Sequence, residues 1–221
     1  MRSHFLLFAL LLAGLIPATA QTTDIKLWNA YKFSADISKR WSADIEQQIR
    51  FNNNISSFDF ALTEVSVAYK INKYIDAGGG IRYSYLDYNT DESIDSYDRF
   101  RWMADLKFDT DVFTKDLKAN LRFRYQESRE VAGTTSPDRY LRTKFQLEYN
   151  LSKLVDPDVS YEIYYKFAEP SEFRAHRINI SANWRIIKKL HLETSYIYEW
   201  EINVNHPDKE HIIAIGLKYK L

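Results

Sequence analysis

From Gln21 to the end, the chain repeats one pattern: an alternating apolar and polar run, a short turn, a second alternating run, then a longer polar connector. A period of two puts successive side chains on opposite faces of a strand, so each run reads as a β-strand with one apolar face. In the clearest copies Phe100, Trp102, Ala104, Leu106 and Phe108 alternate with Arg99, Arg101, Met103, Asp105 and Lys107. Leu117, Ala119, Leu121, Phe123 and Tyr125 then alternate with Lys118, Asn120, Arg122, Arg124 and Gln126. Leu141–Tyr149, Val159–Phe167, Ile178–Trp184 and Leu192–Trp200 continue the series, which ends on Ile213, Ile215, Leu217, Tyr219 and Leu221. Runs of roughly ten residues suit tilted strands that cross a bilayer. Earlier units are less tidy: Trp41, Ala43, Ile45, Gln47, Ile49 and Phe51 alternate with polar residues, but Phe58, Phe60 and Leu62 lie on the parity opposite to Val65, Val67 and Tyr69. That switch predicts a β-bulge near Thr63 or Glu64. The next run contains Gly78-Gly79-Gly80, which would permit a sharp bend or a close strand contact.

The connectors fall into two classes. Short ones carry Lys39-Arg40, Lys73, Lys115 (in a turn predicted at Asp109–Asp116), Lys153 and Lys188-Lys189; longer ones are expected at Asn52–Ser57, Asn89–Tyr97, Ser128–Asp138, Ala168–Glu172 and Ile202–Lys209. Short turns at one end and longer loops at the other are the habit of outer-membrane barrels. Alternation alone does not say which face is wet, since a soluble barrel would turn its apolar face inward. Here Phe33, Tyr69, Phe108, Tyr149, Trp184 and Tyr219 close the strands that run into short turns or the terminus, where an interfacial aromatic girdle belongs. The same Tyr and Phe turned inward would crowd a small barrel. An apolar last strand also needs a partner for its open edge, which barrel closure supplies. The reading is all-β: a transmembrane, antiparallel, up-and-down β-barrel of 10–12 strands. The runs give an odd count, whereas single-chain bacterial barrels are normally even. Either Ile25–Ile37 lies outside the wall, a strand is missed, or the first and last strands meet in parallel; ten or twelve strands is the expectation.

Composition adds an address and removes some function classes. Arg2 and His4, the apolar run Phe5–Ile16 and Pro17-Ala18-Thr19-Ala20 read as a signal peptide over residues 1–20, leaving 21–221 as one barrel domain. Position 21 is Gln rather than Cys, against a lipoprotein anchor. Lys+Arg and Asp+Glu both number 30, so no basic excess points to nucleic acid. With no cysteine, disulfide and thiol chemistry are excluded.

The closing residues, with Leu221 last and Tyr219 two places earlier, resemble the C-terminal signature of bacterial outer-membrane β-barrels. Leu27-Trp28, Lys39-Arg40-Trp41, Arg50-Phe51, Arg99-Phe100-Arg101 and Arg122-Phe123-Arg124-Tyr125-Gln126 resemble a small outer-membrane barrel family of Gram-negative bacteria, typical of the Bacteroidota and catalogued as a domain of unknown function. The resemblance covers most of the chain after residue 20. It implies a barrel in the outer membrane, surrounded by its lipid and inserted by the barrel-assembly machinery through the C-terminal strand. The family carries no agreed activity, so it implies neither site residues nor a cofactor.

If the apolar set faces lipid, the other set lines a lumen. Arg99, Arg101, Lys107, Lys118, Arg122, Arg124, Arg142 and Lys144 come from three consecutive runs, against Asp105 and Glu148; Asp44, Glu46, Glu162, Glu193, Glu199 and Glu201 lie elsewhere. Arg99, Arg101, Arg124 and Arg142 are expected near the outer mouth. The candidate lumen residues are Arg99, Arg101, Arg122, Arg124, Arg142, Lys144, Glu46, Glu148, Glu162 and Glu193. Two readings stand. In one, a narrow pore with a basic wall favours small anionic solutes, guanidinium forks suiting the carboxylate or sulfate of a sugar acid. In the other, arginines and glutamates pair across a small lumen and fill it. A lipid hydrolase is the rival class. It would need a histidine with a Ser or Asp partner, yet His176, on the outward set, has Tyr165, Phe167, Tyr198 and Trp200 as expected neighbours. His191 is expected at a short turn, and His206 and His211 beside a loop, where Asp208 and Glu210 make a weak metal suggestion. A surface-binding or adhesion role through the acidic Asn89–Asp95 segment is the third class. No catalytic constellation stands out, and no cofactor is expected.

Overall fold

The computed structural model describes residues 23–90 and 93–221. The leader read over residues 1–20 lies outside the described residues. The alternating runs form β1 (Thr23–Asp36), β2 (Trp41–Asn52), β3 (Ser57–Lys70), β4 (Ile75–Thr90), β5 (Ser93–Val112), β6 (Thr114–Glu130), β7 (Asp138–Tyr149), β8 (Val155–Phe167), β9 (Glu172–Ile187), β10 (Leu190–Glu201) and β11 (Lys209–Lys220). They close into one barrel of eleven strands in which sequence neighbours pair. Each such pair is antiparallel, but β1 and β11 run parallel, from Thr23↔Lys209 to Ser34↔Lys220. The physical reason is parity: after an odd number of up-and-down strands the first and last point the same way. Of the three ways to resolve the odd count, the parallel closure of first and last strands is the one observed. The leaning to ten or twelve strands is corrected to eleven, and Ile25–Ile37 does not lie outside the wall, because β1 pairs with β2 on one side and β11 on the other.

At the seam Lys26 donates to Glu210 at 2.7 Å, the Leu221 amide donates to the Ser34 carbonyl at 2.9 Å, and the rings of Phe33 and Tyr219 lie 6.4 Å apart. The apolar terminal strand therefore has partners on both edges.

The outer wall is apolar. Ile45, Val65, Ile81, Trp102, Phe145, Ile180, Tyr196, Ile213 and Leu217 are all exposed there. By contrast, the two most deeply buried large side chains, Leu62 and Ile212, at 1% and 0% exposure, sit on the opposite parity and point into the lumen. Exposure of isoleucine, valine and tryptophan all round a closed wall fits lipid as its solvent. Toward the short-turn end Phe33, Tyr149 and Trp184 are exposed on the outer face, and Trp41 packs against Tyr69 at 4.9 Å. Near the other end, Phe51 packs on Phe58, and Tyr165 packs on Phe167 and Phe173.

The β3 bulge lies elsewhere than expected. Pairing runs without a break from Arg50↔Phe60 to Trp41↔Tyr69 and slips only between Arg50 and Phe51, so Asp59 is the extra residue. Phe60 and Leu62 are consequently lumen residues rather than displaced lipid-facing ones, and the register needs no repair at Thr63 or Glu64. The glycines pack closely. A Cβ on Gly80 would stand 2.7 Å from the Val65 carbonyl oxygen, and one on Gly78 would stand 2.8 Å from that of Val67.

Two connectors are tighter than expected. Only Phe113, at φ 58°, separates β5 from β6, so the turn foreseen at Asp109–Asp116 is mostly strand. β4 and β5 continue to the pair Thr90↔Ser93, which takes much of the presumed Asn89–Tyr97 loop into the sheet.

Candidate functional site

Because side chains alternate, every strand sends its polar set inward, and register decides which of those groups meet. Two cavities result. The larger, about 660 Å³, lies toward the longer loops and reaches Val204 between β10 and β11. The smaller, about 340 Å³, lies toward the short turns and is lined by Lys144, Gln146, Glu148, Asp156, Asp158, Asn179, Ser181, Asn183, Glu193, Ser195 and Lys218 among others.

The larger chamber is basic. Arg50, Arg82, Arg99, Arg101, Arg122, Arg124, Arg142, Arg174, Arg177 and Lys166 line it, against Asp138, Glu199 and Glu201. Several of these cations are paired. Arg82 bonds Glu64, and Arg124 holds Asp105 with two 2.7 Å bonds, the fork geometry that suits guanidinium and carboxylate. Arg177 bonds Glu199, and Glu162 is shared by Arg122 at 2.8 Å and Arg142 at 2.6 Å. Three remain without a carboxylate among the described residues. Arg50 bonds Gln48 Oε1 at 2.7 and 3.0 Å and lies between two rings, 3.5 Å from the centroid of Trp28 and 4.5 Å from that of Phe60. Among the described residues Arg101 donates to the Ser128 hydroxyl alone, at 2.7 Å, and Arg99 makes no ion pair. Stacking on an aromatic face offsets part of a guanidinium's lost hydration but supplies no counter-charge.

Unpartnered atoms sharpen the picture. The buried side-chain nitrogens without a hydrogen-bond partner are Trp28 Nε1, Arg99 Nε, Arg122 Nε and Arg174 Nε, all on residues that line the larger chamber, and of these Arg174 Nε has a carboxylate oxygen of Glu172 3.2 Å away. A buried donor left unpaired costs about 1–3 kcal/mol. The chamber is thus rich in donors and short of acceptors, and an oxygen-rich anion supplies what it lacks.

All ten lumen residues read from the sequence face inward, at different places. Arg99, Arg101, Arg122, Arg124 and Arg142 line the larger chamber; Lys144, Glu148 and Glu193 line the smaller; Glu162 lies between them; Glu46 stands on β2, 3.9 Å from Lys32. Arg99, Arg101, Arg124 and Arg142, expected near the outer mouth, all line the chamber on the longer-loop side, Arg101 opposite Ser128, Arg124 opposite Asp105, and Arg124 and Arg142 opposite one another across β6 and β7. The sequence reading missed Trp28, Arg50, Arg82, Arg174 and Arg177. Parity would have found Arg50, Arg82 and Arg177, while Trp28 became legible only once β1 joined the wall.

The histidines are rearranged too. His191 is not in a turn but buried in the lumen, 2.8 Å from Asn183 Oδ1. His211 belongs to β11 and stacks outward with Tyr196 and Tyr198, whereas its neighbour Glu210 turns inward onto Lys26. The metal suggestion at His206–His211 therefore fails, because alternation sends Glu210 and His211 to opposite faces, and no cluster suited to a metal occurs among the described residues. His176 faces outward between Tyr161, which bonds its Nδ1, and Trp200, stacked at 5.1 Å.

Among solved structures, the barrel is similar to the outer-membrane protein OmpT of Vibrio cholerae, with 10% identity over 73% of this chain and a TM-score of 0.45; the match takes in 54% of that longer chain, about half its length. It is also similar to the NanC porin, with 17% identity over 79% of this chain and 86% of that one, TM-score 0.48. A third match is the KdgM porin, in a complex with disordered oligogalacturonate, with 14% identity over 80% of this chain and 91% of that one, TM-score 0.47. At these identities the likeness concerns the barrel fold. A search of the curated proteins gives no match. The model of one family, described as proteins of unknown function (DUF2490), matches residues 25–210, which is most of the barrel, and the chain belongs to that family.

Proposed function

We propose that this chain is an outer-membrane barrel of a Gram-negative bacterium that binds small, oxygen-rich anionic solutes in its basic chamber and admits them from the long-loop side. The observation that carries the reading is the donor excess: the unpartnered N–H groups of Trp28, Arg99 and Arg122 and the carboxylate-free Arg50 and Arg101 on one 660 Å³ chamber. Guanidinium forks beside Trp28, Phe60, Tyr140 and Tyr164 suit a solute with a carboxylate or sulfate on a ring that can lie against aromatic faces. The apolar outer wall and its aromatics support placement in a bilayer, and a lumen of this polarity supports binding and passage of polar solutes. The filled-barrel reading keeps one specific support, the ion-paired layer around Glu162, which stands between the two cavities.

Isothermal calorimetry on detergent-solubilised, folded protein tests the proposal. Glucuronate is expected to bind and neutral glucose is not, with glucuronate binding weakened by added salt as screening requires. Equal binding of the two sugars, or binding of neither glucuronate nor inorganic pyrophosphate, would overturn it.

A further inference from the structure

The floor of the basic chamber holds an anion of its own. Glu162 is the most buried carboxylate among the described residues, at 3% exposure. Its Oε1 accepts from Arg122 Nη2 at 2.8 Å and Arg142 Nε at 3.2 Å; its Oε2 accepts from Arg142 Nη2 at 2.6 Å and the Tyr164 hydroxyl at 3.3 Å, with Arg177 Nη1 4.0 Å away. Those arginines line the larger chamber. Lys144, directly across the β7–β8 pair from Glu162, lines the smaller one and makes no ion pair among the described residues. The Glu162 layer is thus the septum between the cavities, and the carboxylate has a second cationic partner waiting on the far side.

We infer that the septum is operated by the ligand: a multiply charged oxyanion in the larger chamber takes Arg122, Arg142 and Arg177 from Glu162, whose carboxylate moves to Lys144 and joins the two cavities. This rests on the anion-binding reading above. The two anions compete for the same guanidinium donors, so occupancy by one weakens the hold on the other. An ion with two or more charges more than replaces the single charge it displaces, and Lys144 spares Glu162 from being left buried and unpaired, which would otherwise oppose the exchange. Two discrete partners for one carboxylate make the layer a two-state element that a ligand can bias.

The test is single-channel recording in planar bilayers, with inorganic pyrophosphate added on the long-loop side and calorimetry of the same ligand alongside. Wild-type protein is expected to pass little current until pyrophosphate is present. Glu162→Gln is expected to conduct without it, to gain nothing on its addition, and to bind pyrophosphate about tenfold more tightly, within the range usual for coupled sites. Lys144→Met is expected to bind pyrophosphate and lose the current increase. The heat-dependent gel shift of each variant reports whether the barrel is folded. A wild-type current that falls on adding pyrophosphate, as in simple block, overturns the inference. So does a folded Glu162→Gln barrel that behaves as wild type or, should that variant not fold, a folded Lys144→Met barrel that keeps the ligand-induced current. Binding by calorimetry with unchanged conductance sinks the septum alone; no pyrophosphate binding by either wild type or Glu162→Gln sinks the anion chamber with it.

Discussion

Arg101 and Arg124 carry the same charge on adjacent strands and line the same chamber, yet the structure gives them different jobs. Arg101 has one neutral partner, the Ser128 hydroxyl at 2.7 Å. Arg124 grips Asp105 with two bonds of 2.7 Å, side chains 12% and 20% exposed. Arg101→Gln therefore removes a free charge and leaves no carboxylate behind, only the neutral Ser128 hydroxyl. If the solute accepts one charge-assisted bond from this guanidinium, about 1.5–3 kcal/mol of binding is lost, which is roughly 10- to 150-fold in affinity. Arg124→Gln leaves the Asp105 carboxylate half-buried without its cation. Removing one partner of a buried pair costs about 3–5 kcal/mol of stability, and the residual exposure here puts the cost near the low end. Calorimetry with glucuronate measures the first effect and urea unfolding in detergent, followed by tryptophan fluorescence, measures the second. Arg101→Gln should lose affinity at unchanged midpoint; Arg124→Gln should shift the midpoint and keep most of its affinity. If the two variants lose affinity equally and neither shifts the midpoint, the distinction between free and paired guanidinium is wrong.

Other consequences are open to direct measurement. Gly80→Ala places a Cβ 2.7 Å from the Val65 carbonyl and should cost about 1–3 kcal/mol in urea unfolding, whereas Gly216→Ala meets nothing closer than 3.5 Å and should be nearly neutral; equal effects would count against the close β3–β4 approach. Trp28 is the tryptophan placed on the lumen, so aqueous iodide should quench it and spin-labelled lipid should quench the others; Trp28→Phe should abolish most iodide quenching, and quenching that survives would mean the wall is inverted. At the parallel seam, Lys26→Met leaves Glu210 without its 2.7 Å partner and should destabilise by about 1–3 kcal/mol, most of which Lys26→Met/Glu210→Leu should restore, as a double-mutant cycle would reveal.

Which parts of this barrel were legible depends on how far each property reaches along the chain. Inside and outside are local, because parity is a property of neighbouring residues, so Phe145 or Ile213 can be assigned to the lipid face with no knowledge of its partner. The girdle is local for the same reason. The bulge was not. A parity switch between Leu62 and Val65 looked like a fault at Thr63 or Glu64, but the alternative, that Phe60 and Leu62 belong in the lumen, leaves the same trace in the sequence. Only the β2 register, with Phe60 opposite Arg50, separates the two. Arg50 then explains why an aromatic ring belongs there, since its guanidinium lies 4.5 Å from the Phe60 centroid.

The candidate site was less legible because it is made by pairs that are remote in sequence and decided by closure. Ten lumen residues could be named from alternation, but Arg101 and Arg124 look equivalent until Asp105 is placed opposite one and Ser128 opposite the other. Trp28 was harder still. Its role depends on β1 entering the wall, and the preference for an even strand count argued against that. Once β1 closes in parallel on β11, Trp28 receives Arg50 at 3.5 Å from the neighbouring strand and Arg177 at 5.4 Å from β9, which is not adjacent to β1. The odd strand therefore bears on function as well as topology. A barrel of Trp41 to Leu221 alone would lack the indole on which these guanidiniums meet, and it would also lack Lys26, the partner of Glu210. β1 supplies an aromatic wall to the chamber as well as an outward-facing stave, so loss of β1 pairing should weaken the proposed anion binding before it opens the rest of the barrel.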